Sequence, residues 1–298
     1  MPPSRRDILA ALTATAMGGI ASKARAQPEP RRARVITDER ASSFDIGPQD
    51  AGWRVFVGLP RMPAPADGYS AIIATDGNAS FPGLWDRREK LAPDAPVVVI
   101  GIGYPTEYTV DTERRWFDLT SPGQPPTSPA ELMMQTRPER RTGGRANFLQ
   151  ALADGILPAV VSRVALNMQD LTLYGHSLGG LFTLHALYTR PTLFARYVAS
   201  DPSIWWNNGE ALREAAAFAG GIRAAGGDVV PPREVLVARS AALSNDSRLQ
   251  SLPALVEILR DIDGLDVTYQ SYPDETHGSL PGIMMDQALD LHLGRLGQ

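Results

Sequence analysis

Asp170-Leu171-Thr172-Leu173-Tyr174-Gly175-His176-Ser177-Leu178-Gly179-Gly180 decides how this chain is read. Its first five residues form an apolar, β-prone run, and Leu178 to Tyr188 has the spacing of a helix. Between them stands Gly-x-Ser-x-Gly. Alone, that pentapeptide is a weak signal, and a glycine-rich turn that merely packs a helix onto a sheet would show it too. In a strand-to-helix context it says more. A serine on so tight a turn exposes its hydroxyl, and the flanking glycines prevent clashes. The helix N-terminus also presents backbone N–H groups to a developing oxyanion.

A serine hydroxyl attacks at neutral pH only when a base removes its proton. The chain holds four histidines. His176 sits in the turn itself and is expected to pack or hydrogen-bond locally. His185 lies two helical turns beyond Ser177 and cannot reach back, and His292 belongs to a terminal helix. His277 remains, in Glu275-Thr276-His277-Gly278-Ser279, directly after the last strand candidate. Enzymes built on this turn keep the base in that loop, in the order Ser, acid, His.

The acid stays open among three readings. The turn after Val235 to Ala238 offers Asp246 as its only carboxylate, although Asp246 would equally cap the following helix. Glu275 is close to His277 in sequence. A Ser–His dyad without a carboxylate is the third.

Working outward, strand candidates occur at 53–59, 69–75, 97–100, 171–174, 197–199, 235–238 and 267–272, with a turn at Asp76-Gly77-Asn78. Helical spacing is found at 145–164, where Pro158 predicts a kink or an end, and at 178–188, 251–262 and 281–296. This alternation predicts an α/β architecture, a mostly parallel central sheet flanked by helices. The stretch 120–144, rich in Pro, Thr, Arg and Gly, is too long for a simple connection and reads as a lid-like insertion.

The first 26 residues read as an address. Arg5-Arg6 precedes an apolar stretch from Ile8 to Ile20, and Ala24-Arg25-Ala26 offers a cleavage site before Gln27. The paired arginines suggest the twin-arginine route to the periplasm, and the apolar stretch is short for a membrane anchor. Residues 27–298 then form a single domain. The leader carries a net +3, so the remainder falls from −4 to −7. An acidic chain is a poor sequence-independent binder of nucleic acid. With Cys 0, disulfides, thiolate nucleophiles and Cys-ligated zinc are excluded.

Longer stretches carry a family resemblance: ATDGNASFPGLWD, VVVIGIGYPTE, RWFDLTSP, YGHSLGGLFTLHAL, SDPSIWWNN and DETHGS. From about Ser43 to Pro281 the chain resembles the esterase branch of the α/β-hydrolases that includes periplasmic trilactone (enterobactin-type) siderophore esterases. The resemblance implies an α/β-hydrolase fold and an oxyanion hole from the N–H groups of Gly77-Asn78 and Leu178. It aligns Arg115 and Asp118 with an Arg-x-x-Asp-Tyr-Thr segment, Leu119 replacing the aromatic. Arg115 is then either a pocket-rim fork for an anionic or catechol carbonyl group or half of an Arg115–Asp118 pair that holds the loop. Trp205 and Trp206 would wall an aromatic substrate, or belong in part to the core. Relatives carry Gly-x-Glu where this chain has Arg239-Ser240-Ala241, so the usual acid is missing from its place.

The reaction implied is ester hydrolysis through an acyl-enzyme, with no metal or organic cofactor and with any iron belonging to the substrate. Two rivals stay open: a general or feruloyl-type esterase or acyltransferase on the same scaffold, and a periplasmic protein that binds a ligand without turnover.

Overall fold

The computed structural model describes residues 31–48, 50–125, 140–240 and 251–296. The eight strands are β1 (Ala41–Ile46), β2 (Trp53–Gly58), β3 (Tyr69–Ala74), β4 (Val97–Gly103), β5 (Leu166–His176), β6 (Arg196–Ser200), β7 (Asp228–Ser240) and β8 (Asp263–Tyr272). They form one sheet in the order β1-β2-β4-β3-β5-β6-β7-β8. β1–β2 and β2–β4 pair antiparallel, and every pairing from β4 onward is parallel. This is the α/β-hydrolase fold.

Central strands of a covered sheet must be apolar on both faces, and all seven residues of β4 are buried. Side chains alternate between two cores, as a period of two requires. Ile73, Val98, Ile100, Leu173, Ala199 and Val237 face one. Ile72, Ala74, Val97, Val99, Tyr174, Val198 and Leu236 face the other. Two helices cover the second core, α1 (Gly77–Leu91) through Phe81, Leu84 and Trp85, and the C-terminal helix Leu280–His292 through Met284 and Leu289. The first core is covered by α2 (Thr112–Leu119), α3 (Arg145–Ala151), α4 (Leu157–Val161), α5 (Leu178–Thr189), α6 (Glu210–Ala225) and α7 (Ser251–Arg260). The C-terminal helix is α8. Ten consecutive residues of α5, Leu178 to Leu187, are buried. It is the central helix, apolar all round.

Two expectations take a different form. Pro158 neither ends nor breaks its helix, because a π-helical turn (Leu152–Ile156) joins α3 to α4 and absorbs the missing N–H. The ends of the 120–144 insertion are pinned together: Gly144 N–H donates to Phe117 O at 2.8 Å and Arg145 N–H to Thr120 O at 3.2 Å. Its middle, 126–139, lies outside the described residues, as do the expected leader at 1–26 and Asp246.

His292 is a core residue, 5% exposed. Its Nδ1 is 2.8 Å from Thr172 Oγ1 and its Nε2 2.9 Å from Ser70 Oγ, so it ties α8 to β5 and β3. Burial pulls its pKa down to about 4, against Asp170 and together with Arg196. A depressed folded pKa means that the unfolded chain, titrating near 6.5, takes up the proton first. Stability is therefore full above about pH 6.5 and is lost as pH falls toward the folded value. Calorimetry across this window is expected to show a falling unfolding temperature, and a flatter profile in His292→Gln. A wild-type profile level from pH 7 to about 4.5 contradicts this.

Candidate active site

β5 delivers its last residue, His176, to the carboxyl edge of the sheet, and Ser177 turns the chain into α5. The turn is tight enough to hold Ser177 at φ 59°, ψ −119°, outside the regions ordinary residues prefer. Glycine is required on both sides. A Cβ on Gly175 would strike the Gly179 carbonyl oxygen, and one on Gly179 would strike Thr75 Oγ1. The serine backbone is anchored as well: its N–H donates to Ser200 O at 3.0 Å, and its carbonyl accepts from Leu181 and Ser203 N–H, each at 3.0 Å.

His277 comes from the loop between β8 and α8. That loop is held by its own hydroxyls, with Thr276 N–H donating to Ser279 Oγ at 2.9 Å and Ser279 N–H to Thr276 Oγ1 at 3.1 Å. One hundred residues apart in sequence, His277 Nε2 and Ser177 Oγ lie 3.0 Å apart. The other ring nitrogen, Nδ1, is 2.7 Å from Asp201 Oδ2.

Asp201 was not among the sequence candidates for the acid. It follows β6, the strand next to the serine strand, and is 3% exposed. Ser240, at the end of β7, donates its N–H to Oδ1 at 3.2 Å and its hydroxyl to Oδ2 at 2.7 Å. The place where an acid is expected thus supplies donors to a carboxylate one strand away. Burial pushes the Asp201 carboxyl up, but the bonds from His277 and Ser240 outweigh it and leave its pKa below the usual value. Glu275 is engaged elsewhere: its carboxylate accepts from Ser279 Oγ at 2.5 Å, while His277 Nδ1 meets Asp201. The available sequence signal was an aspartate ending a short buried strand inside the quoted SDPSIWWNN.

His176 packs locally, as expected. Its Nδ1 is 3.0 Å from Ser200 Oγ, its ring centre is 4.5 Å from that of His277, and burial pulls its pKa down to about 4. It therefore adds no positive charge beside His277 at neutral pH.

The N–H donors expected for an oxyanion begin two helices. Leu178 opens α5 and Gly77-Asn78 opens α1, where the first N–H groups have no partner within the helix. Asp76 makes the turn into α1 at φ 52°. A Cβ on Gly77 would lie 2.6 Å from Gly101 C and Ile102 N, so only glycine lets the turn sit this close to β4. The Asn78 side chain is occupied in holding the next loop, bonding Tyr104 N–H at 2.8 Å, Tyr104 O at 3.0 Å and Thr106 O at 3.2 Å. Its backbone alone is left for the site.

The Arg115–Asp118 pair does not form. Asp118 accepts from Trp53 Nε1 at 2.8 Å and from Arg114, one helical turn earlier, at 3.3 Å. Arg115 instead grips Asp76 with both prongs of its fork, each at 2.9 Å, beside the Gly77 turn. The tryptophans divide. Trp206 is 2% exposed and donates Nε1–H to Ser121 Oγ at 2.8 Å, which makes it core. Trp205 is half-buried, and Trp116 packs against both rings at 6.2 and 5.6 Å.

A hydroxyl, an imidazole and a buried carboxylate thus stand in line on an α/β-hydrolase sheet, beside two helix N-termini, an arrangement able to activate a serine for acyl transfer. Residues 50–226 match the family described as "Putative esterase", and the chain belongs to it. It is 40% identical over 158 residues to a siderophore enterobactin esterase of Emericella nidulans, covering 51% of this chain and 52% of that one. A siderophore triacetylfusarinine C esterase of Aspergillus fumigatus is 40% identical over 153 residues, 49% and 48% of the two chains. The chain thus spans about half the length of these curated relatives. Among solved structures, siderophore hydrolase EstA from Aspergillus nidulans superposes with a TM-score of 0.72 at 26% identity, over 87% of this chain and 97% of that one.

Proposed function

We propose that this chain is a serine esterase that hydrolyses siderophore esters, with Ser177 as nucleophile, His277 as general base and Asp201 as the acid that orients it. The observation that carries the reading is the pair of contacts on one imidazole, Nε2 at 3.0 Å from Ser177 Oγ and Nδ1 at 2.7 Å from Asp201. Ionised Asp201 only accepts, so it fixes the proton on Nδ1 and leaves Nε2 free to take the serine proton. Ser177 then attacks the ester carbonyl while the N–H groups of Leu178 and the Gly77-Asn78 turn receive the oxyanion. His277 returns the proton to the leaving alcohol, and water repeats the sequence on the acyl-enzyme. Arg115 acts through Asp76 on the oxyanion turn, and Trp205 with Trp116 offers an aromatic wall to a bulky ester. The leader at 1–26 would take the protein to the periplasm.

A substrate panel on the purified protein tests this. A triscatecholate trilactone, apo or ferric, is expected to exceed p-nitrophenyl acetate in kcat/KM by at least about tenfold, because remote contacts of a bulky ester add transition-state binding. Equal or better turnover of short acyl or feruloyl esters would favour a general esterase. Binding of every ester with no turnover would make the protein a ligand-holding relative.

A further inference from the structure

Ser177 Oγ has a second neighbour. Ser203 Oγ lies 3.2 Å from it, and by distance alone either hydroxyl could be the donor. The remaining contacts fix the direction. In the base form of His277, Nδ1–H is committed to the Asp201 carboxylate, so Nε2 is a bare acceptor that takes the single proton of Ser177. Ser177 Oγ has no second proton to give. Ser203 must donate to it.

Ser203 is placed firmly for this. It is 4% exposed, its N–H donates to Ser177 O at 3.0 Å, and Pro202 before it packs so closely on Gly180 that a Cβ there would lie 3.1 Å from Pro202 Cα. We propose that Ser203 is a further catalytic residue, whose O–H donates to Ser177 Oγ and stabilises the charge that gathers there as the acyl-enzyme breaks down. The proposal rests on the acyl-enzyme reading above.

The two halves of the reaction use this bond unequally. In the free enzyme Ser203 already donates to a hydroxyl oxygen, and that oxygen gives its electron pair to the carbonyl carbon during attack, so acylation gains little. In the acyl-enzyme Ser177 Oγ is an ester oxygen, a weak acceptor. Water then adds to the carbonyl carbon as His277 Nε2 takes its proton. On collapse the bond from that carbon to Oγ breaks, its electron pair moves onto Oγ, and Nε2–H returns the proton there as the carboxylic acid leaves. Oγ is a strong acceptor only at that moment, and an interaction made only in the transition state is one that accelerates the step.

Ser203→Ala and Ser203→Cys test it, the cysteine keeping the volume but offering a weak donor. With p-nitrophenyl acetate, where kcat/KM reports acylation, both variants are expected to lower kcat about tenfold while kcat/KM stays within about twofold. A pre-steady-state burst should grow, and rapid-quench mass spectrometry should show more acetyl-enzyme than in the wild type. Unchanged kcat in either folded variant, or kcat and kcat/KM falling together, overturns the proposal. Ser177→Ala run alongside separates the two levels. If Ser177→Ala is inactive while the Ser203 variants match wild type, the Ser203 proposal alone falls. If Ser177→Ala still turns over, the serine reading falls and this one with it.

Discussion

Ser177→Ala is expected to lower kcat for ester hydrolysis by about 10⁶-fold while leaving the folded structure in place, because serine, histidine and carboxylate act as a unit. What remains is turnover that the oxyanion donors and substrate binding supply without a nucleophile, roughly 10³-fold above water. The substitution removes one oxygen from a turn whose geometry is set by backbone bonds to Ser200, Leu181 and Ser203. Circular dichroism and the unfolding temperature should therefore match the wild type, and Kd for an intact ester should change little. A folded variant that keeps more than about a hundredth of wild-type kcat would place the chemistry elsewhere.

Asp201→Asn is the second large effect, an expected loss of about 10⁴-fold in kcat with KM nearly unchanged. The amide can turn its NH₂ toward His277, and the ring then presents an acceptor at Nδ1 and a proton at Nε2, the wrong tautomer for taking the serine proton. Ser240 N–H and Oγ hold the carboxylate from β7, so Ser240→Ala should cost a smaller part of the same rate. The matched control is Asp246→Asn, expected to stay within about threefold of wild type, because Asp201 already holds His277 Nδ1 at 2.7 Å. A reversal of the two results, Asp246 essential and Asp201 dispensable, would return the acid to the β7 turn.

The different fates of these two carboxylates show where sequence reading stopped. The serine turn was legible because its chemistry and its backbone make the same local demand, Gly175 and Gly179 being forced by close approach to the chain itself. His277 could be found by its place after the last strand. Asp201 carried only the weak signal of an aspartate after a short strand, because its contacts span two neighbouring strands: the carboxylate follows β6, and β7 carries the Ser240 donors. Arg115 failed similarly. Its partner Asp76 is 39 residues away, whereas Asp118, near in sequence, is taken by Trp53 and Arg114. The sheet was readable where strands are buried on both faces, as in β4. β1, which pairs only with β2 at the edge and is half exposed, leaves no apolar run to notice. Nor were α1, α2 and α6 marked. α1 carries Pro82 and glycines within a buried helix, and its burial comes from the sheet rather than from any amphipathic stripe in its sequence.

The proposed esterase works through a covalent intermediate at one oxygen. The protein should be mixed with p-nitrophenyl acetate, quenched in acid within milliseconds, digested and sequenced by mass spectrometry. The predicted result is a single acetyl adduct on Ser177, absent from His277→Ala and from protein unfolded before mixing. An adduct on another side chain, or hydrolysis at full rate with Ser177 never acylated, would contradict it.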